Sequence, residues 1–335
     1  MDPSRLHALR LPPPPLMFSA LDLDIRPGIG LGIFDIGASL WSVLDALRTD
    51  SAHFPQIDIK YDPDAPLSPV LVHVRPHLDL LFSAAHQRLH TIALRRLHDH
   101  PPLTLRYKGN LLAAPDKDLR RVDVSLAFGP TYPGDDLRYP GVRFCFSDDA
   151  PGNGPAARED RTQQVNRILI GQSESDTNVA DRDALGEVDP CPIMNGELAE
   201  VVAKAHDGVV LRFYPETNAA VHVRLGVTTA QDLVCDLGSP IRTFYKEDDR
   251  MAIHSRTRTE EEGSEPSYFY NYFQYGMDFL LSGSTHVVKK IILHTNTPGS
   301  PMFQRYKRCP WQIEGRPEDD EDGACAYTDT DPHSR

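Results

Sequence analysis

The stretch MDFLLSGSTHVVKKIIL (277–293) reads as a strand, a small polar turn and a second strand. It has a twin. LDLLFSAAHQRLHTIAL (78–94) aligns with it without gaps at a shift of 199 residues. Asp79/Asp278, Leu81/Leu280, Ser83/Ser282, Ile92/Ile291 and Leu94/Leu293 coincide. Upstream of each hairpin lies a short amphipathic helix. GASLWSVLDAL places Leu40, Val43, Leu44 and Leu47 at i, i+3, i+4, i+7 spacing, and TTAQDLVCDL places Ala230, Leu233, Val234 and Leu237 likewise. Ser39 and Thr228 or Thr229 are the candidate N-caps, and Gly238 before Ser239-Pro240 is a helix stop.

Helix then hairpin, twice in the same order, predicts a duplicated α+β module, each copy a short helix packed on an antiparallel meander. Further strands are expected at QIDIKY, PVLVHV, PLTLRYKG, GVRFCFS, VVLRFY and AAVHVRL, which are rich in β-branched and aromatic residues. YFYNYFQY (268–275) alternates as a strand, with Tyr268, Tyr270 and Tyr272 on one face and Phe269, Phe273 and Tyr275 on the other. It is expected to be a central strand covered on both sides.

The division that follows is a proline-rich disordered lead (1–18), a first module (19–146), an acidic flexible insertion (147–195), a second module (196–313) and a disordered acidic tail (314–335). VNRILI inside the insertion is a possible brief strand or docking element. The net charge of −13 sits mostly in two of these segments. Ser147–Pro190 has ten acids against four bases, and Glu314–Arg335 eight against two. The folded body is close to neutral and carries no basic face for nucleic acid. Five cysteines, none in a C-x-x-C pair, suit a reducing compartment better than a disulfide scaffold. Four consecutive prolines break the apolar core that a signal sequence needs, so a soluble, cytoplasmic protein is expected.

The chemistry-bearing motifs are absent from the sequence. GIGLG (28–32) lacks the spacing of a phosphate-binding loop, and no nucleophile elbow, zinc-protease or kinase signature is present. His73/His77 and His86/His90 have a ligand-like spacing of four, but each pair falls on strand or turn sequence, so no metal site is expected. Asp79 and Asp278 are repeat-equivalent carboxylates, read as solvent-facing strand positions. No cofactor is expected, and the protein is read as no enzyme.

The segments LGSPIRTFYKEDDRMAIHS (237–255), YFYNYFQYGMDFLL (268–281) and THVVKKIILHTNTPG (285–299) closely resemble the phagosome assembly factor family. FGPTYPG (128–134) and LLFSAAHQRLHTIAL (80–94) are similar to its N-terminal signatures. The resemblance covers about 20–146 and 196–313. It implies a non-enzymatic autophagy adaptor that associates with a WD-repeat β-propeller protein of the breast-carcinoma-amplified-sequence type. It also implies recruitment to the phagophore assembly site, with membrane contact made indirectly through the propeller. The acidic insertion and acidic tail are departures from the family pattern.

On this reading the candidate partner-binding or family-motif residues are Leu237, Gly238, Ser239, Pro240, Phe244, Tyr245, Lys246, Asn271, Tyr272, Phe273, His294 and Asn296. Phe244 and Tyr245 either stand exposed after the helix stop or pack beneath the hairpin. Lys289 and Lys290 are candidate lipid contacts. Direct binding of anionic phosphoinositides is one alternative, and it needs Arg88, Lys289, Lys290, Arg305 and Lys307 to cluster. A hydrolase with its site between the two modules is the other.

Overall fold

Both hairpins form where alternation places them, and their irregularities coincide as well. In a computed structural model of the chain, residues 21–146 apart from 66, 98, 100, 101 and 133 are described, with 163–172, 186–246 and 266–314. The proline-rich lead, the acidic tail beyond Glu314 and most of the acidic insertion lie outside the described residues.

The first unit runs β1 (Leu21–Arg26), β2 (Gly30–Leu31), β3 (Phe34–Asp35), α1 (Leu40–Thr49), β4 (Ile57–Lys60), β5 (Val70–Val74), β6 (Leu78–Phe82) and β7 (Leu89–Arg95). Next come β8 (Leu103–Tyr107), β9 (Asn110–Ala113), α2 (Arg121–Phe128), β10 (Leu137–Tyr139), β11 (Val142–Phe146) and β12 (Val165–Gly171). After a 3₁₀ turn at Pro192–Met194, the last unit repeats the first. It is β13 (Leu198–Lys204), β14 (Gly208–Phe213), β15 (Val221–Arg224), α3 (Ala230–Leu237), β16 (Arg242–Tyr245), β17 (Tyr268–Tyr272), β18 (Met277–Leu281), β19 (Val288–Leu293) and β20 (Trp311–Ile313).

The helices start and stop for the expected reasons. Ser39 Oγ accepts from the Ser42 N–H at 3.2 Å, and all four stripe residues of α1 are buried. Burying each of them stabilises the fold by about 2 kcal/mol. Thr229 and Asp232 form a reciprocal capping box on α3, and Gly238 ends it at φ 80°, a value that L side chains avoid. The stripe of α3 is narrower than its sequence suggests: Leu233 and Leu237 are buried, but Val234 is 38% exposed.

The repeat holds in backbone detail. The register shifts between Leu81 and Phe82 in the β6–β7 pair and between Leu280 and Leu281 in the β18–β19 pair. The turn residues Gln87 and His286 both take positive φ, 51° and 55°. Each helix N-cap bridges to the residue just before its fourth strand, Ser39 to Arg88 and Thr229 to Val287.

A third bridge, Arg120 to Gln164, has the same place relative to α2 and β12. β8 to β12 are therefore a third, shortened copy, interleaved with the first. β1 and β8 pair in parallel at the centre of the sheet β3-β2-β1-β8-β9. β12 pairs antiparallel with β7, fusing two meanders into the sheet β10-β11-β12-β7-β6-β5-β4. One core cluster joins both sheets and α1.

This corrects the expected boundaries. Residues 163–172 belong to the first module, not to a flexible insertion: Ile168 and Ile170 are fully buried in the middle of its largest sheet. Residues 186–195 pack on the same core through Val188 and Met194. In the second module β15-β14-β13-β20 and β16-β17-β18-β19 form two four-stranded sheets, with β20 parallel to β13 as β8 is to β1.

The turn Ser83–Arg88 is the hub between modules. Gln87 and Asn296 exchange hydrogen bonds, Asn296 Nδ2 donating to Gln87 Oε1 at 2.9 Å and Gln87 Nε2 to the Asn296 carbonyl at 3.1 Å. Arg308 donates to the carbonyls of Ala84 and Ala85 at 2.6 and 3.2 Å. Glu197 pairs with Arg88 of the first module and with Lys307. Burial pushes the Lys307 ammonium down to about 8 against the pull of Glu197.

Candidate functional site

Strand alternation sorts the second module's β16–β19 sheet into two faces. Tyr268, Tyr272, Met277, Phe279, Leu281 and Val288 turn inward and are buried. Outward, one cross-strand row reads Phe244, Phe269, Leu280, Lys290 and the next Arg242, Asn271, Asp278, Ile292. Phe269 and Leu280 are half-buried, so the outer face is not covered in the way the sequence suggested.

β16 lies at one edge of that sheet, with all four residues exposed. Phe244 is 47% and Tyr245 62% exposed, which settles the choice left open above in favour of the exposed element. The Arg242 guanidinium lies 5.7 Å from the Phe244 ring, and Tyr245, opposite Tyr268 on the other side of the strand from Phe244, makes a tilted ring contact with it at 5.5 Å. Phe244 next to the half-open Phe269 and Leu280, rimmed by Arg242, Lys246 and Lys290, with Tyr245 exposed on the other side of the same edge strand, has the composition of a protein-binding surface.

The other candidates divide by burial. Gly238 and Ser239 are exposed and Pro240 half-buried, but Leu237 belongs to the core under α3. Tyr272 is fully buried, its hydroxyl donating to the Gly238 carbonyl at 2.9 Å, so it fixes where the exposed segment starts. Asn296 is spent on the junction with the first module.

Asn271 and His294 belong to a buried network around Asp278. Asn271 Nδ2 donates to Oδ1 at 2.7 Å, and Oδ2 accepts from the Tyr306 hydroxyl at 2.8 Å and faces His294 Nε2 at 2.9 Å. The Tyr306 ring stacks on His294 at 3.6 Å and meets Phe273 edge-on at 4.8 Å. Burial, reinforced by the Asp278 charge, pushes the Tyr306 hydroxyl far above its ordinary range. The first module carries the same constellation in reduced form. His73 Nδ1 and Arg95 Nη2 lie 2.5 and 2.8 Å from Asp79 Oδ1. Both aspartates are therefore partnered and turned from solvent, contrary to their reading as solvent-facing positions. Asp79 ties β6 to β5 and β7, and Asp278 ties its strands to the segment after β19 that covers them.

The lipid and enzyme alternatives meet different geometry. Arg88 and Lys307 are buried on Glu197 at the module junction, so they do not join Lys289 and Lys290 in a basic patch. A cleft of about 930 Å³ does lie between the modules, lined among others by His86, Glu200, Arg212, Tyr214 and Trp311. Within it Arg212 pairs with Glu200, which also accepts a hydrogen bond from Gln312, and His86 pairs with Glu187. Burial alone would raise the Glu187 carboxyl, but hydrogen bonds from His86, Ser83 and the Ala85 N–H outweigh it and bring it down to about 2. Among the described residues no three His, Cys, Asp or Glu side chains are placed to hold a metal ion. His77 Nδ1 lies 2.8 Å from the Arg96 carbonyl, away from His73's partner. No helix among the described residues is long and apolar enough to cross a membrane.

Residues 30–330 match the model of a family described as phagosome assembly factor 1. The chain belongs to the phagosome assembly factor 1 family. It is 32% identical over 314 residues to a PHAF1 protein of Arabidopsis thaliana, covering 87% of this chain and 74% of that protein. A PHAF1 protein of Drosophila melanogaster is 27% identical, with 88% of this chain and 74% of the relative covered. One from Caenorhabditis elegans is 24% identical, with 86% and 77% covered. No solved structure matches the chain. Membership of the phagosome assembly factor 1 family supports a role in phagosome and autophagy assembly.

Sequence reasoning missed Phe269, Leu280 and Ile292 as surface residues. The available signal was alternation itself: all three fall out of phase with the inward Tyr268, Phe279 and Ile291.

Proposed function

We propose that this protein is a non-enzymatic adaptor of autophagy. It acts in the cytoplasm, joins a WD-repeat β-propeller protein of the breast-carcinoma-amplified-sequence type, and is recruited with it to the phagophore assembly site. Membrane contact runs through the propeller. The observation that carries this reading is the exposed Phe244–Tyr245 edge beside the half-open Phe269–Leu280 row, in a chain of the phagosome assembly factor 1 family. Aromatic anchors flanked by cations are what such interfaces use as hot spots.

The test is affinity purification of the tagged protein from nutrient-starved cells, comparing wild type with Phe244→Ala/Tyr245→Ala. Wild type recovers the propeller protein and the variant, equally soluble, does not. Recovery of no propeller protein by folded wild type refutes the reading, and equal recovery by both chains removes the docking surface from it.

A further inference from the structure

The opposite edge of the same sheet carries a second site. We propose that the free edge of β19 docks an antiparallel β-strand of a partner polypeptide, one with an apolar side chain over Ile292 and carboxylates at Lys290 and Lys289.

The argument starts from β7, the equivalent of β19 by hairpin, bulge and turn conformation. The outer edge of β7 is taken by β12, with Leu94 opposite Ile168, Ala93 opposite Leu169, Ile92 opposite Ile170 and Thr91 opposite Gly171. The unit that supplies β12 begins with β8, laid parallel to β1. The second module repeats that beginning, β20 parallel to β13. Among the described residues nothing repeats its end: beyond Val288, whose N–H and carbonyl are bonded to Thr228 and Gly226, β19 closes its sheet with one side unpaired.

Side-chain exposure follows the backbone. Ile92 and Leu94 are fully buried, whereas their equivalents Ile291 and Leu293 are half-open. Leu44 of α1 is 4% exposed and its equivalent Val234 of α3 38%. The second module is thus short of apolar cover at the positions equivalent to those buried in the first.

The edge also states what it accepts. His90 and Thr91 of β7 are replaced by Lys289 and Lys290, both exposed, and neither has an ion-pair partner among the described residues. Lysines on an open edge oppose pairing with a second copy, because two antiparallel β19 strands bring like charges side by side. The same lysines draw in carboxylates. Backbone hydrogen bonds supply the affinity of an added strand, and side chains at alternate positions supply its selectivity.

The probe is a fluorescein-labelled peptide of residues 163–172 of this chain bearing Gly171→Glu and Gln172→Glu. In the β12 register these carboxylates fall at Lys290 and Lys289, with Leu169 over Ile292. Fluorescence anisotropy with the full chain gives saturable binding that weakens as salt rises. It drops about tenfold or more in Lys289→Glu/Lys290→Glu, and is unchanged in Phe244→Ala/Tyr245→Ala. The last variant separates this site from the docking surface proposed above. Amide exchange with peptide bound shows new protection over residues 289–293. No binding to wild type, binding indifferent to the lysine reversal, or protection appearing over residues 89–95 each overturns the proposal. So does lysine-dependent capture of phosphoinositide vesicles without peptide binding, which gives the lysines to a membrane.

Discussion

The same cross-strand row reads Lys60, Leu71, Leu81, Thr91 in the first module and Phe244, Phe269, Leu280, Lys290 in the second. The two backbones share bulge, turn and helix cap, yet the charge has moved from one end of the row to the other, and aromatic rings stand where Lys60 and Leu71 were. In the first module the far edge of the row runs on into β12, and the chain covers itself. In the second the row ends in an exposed phenylalanine on one side and an exposed lysine on the other. A duplicated frame thus separates two tasks. One copy extends its last strand into the body through β12, and among the described residues the other leaves the equivalent edge, β19, without a strand.

The sharpest way to break this comparison is at the paired aspartates. Asp278→Ala strands Asn271, Tyr306 and His294 in a covered site, and unfolding in urea should show a loss of about 3 kcal/mol. Asp79→Ala should cost about 1 kcal/mol, because its partner Arg95 reaches solvent. Equal losses would mean that the two networks are not graded by burial.

Next in size is the junction. Glu197→Gln leaves Arg88 and Lys307 facing each other with no counter-charge, and should lower stability by about 2 kcal/mol. Limited proteolysis between residues 186 and 197 should accelerate in that variant. Unchanged cleavage would show that the modules are held mainly by the apolar contacts.

A smaller effect attaches to Glu187. Its carboxyl lies below the ordinary value when folded, so its contribution is present in full above about pH 4.5 and is lost as pH falls through about 2. Wild type minus Glu187→Gln stability should therefore shrink on acidification across that window. The difference at pH 7 is about 1 kcal/mol, since the group is partly in solvent. A difference that grows on acidification would contradict the assignment.

The smallest stability change belongs to Phe244→Ala/Tyr245→Ala, within about 1 kcal/mol by thermal unfolding, even though that variant is expected to lose its partner. A larger loss would place these rings in the core.

Some of this architecture was legible in the residues and some was not, for physical reasons. The two hairpins align at a constant shift because their strands keep strict alternation, and α1 shows a full four-residue stripe. The third copy was hidden because α2 offers Val124 as its one buried apolar residue and an arginine, Arg120, at its N-cap. β12 was legible as a brief strand, VNRILI, but its polar surroundings assigned it to a flexible insertion and hid its place in the first module's core, where Ile168 and Ile170 are buried. Asp278 was misplaced because alternation correctly points it outward, but His294 and Tyr306, from the segment after β19, fold back over it. Long-range cover of this kind leaves no local signal. The exposed Phe244–Tyr245 edge was half legible: a helix stop marked the start of a short element, but not that it would pair as the edge strand β16.

The measurement that reaches the central contrast most directly is amide hydrogen exchange of the free full chain, read over β7 and β19 side by side. An open second edge predicts that the outward-facing amides of residues 289–293 exchange about a hundredfold faster than those of residues 90–95, which β6 and β12 hold from both sides. Equal, slow exchange over both strands would mean that β19 is already covered, and would contradict the division of labour between the modules.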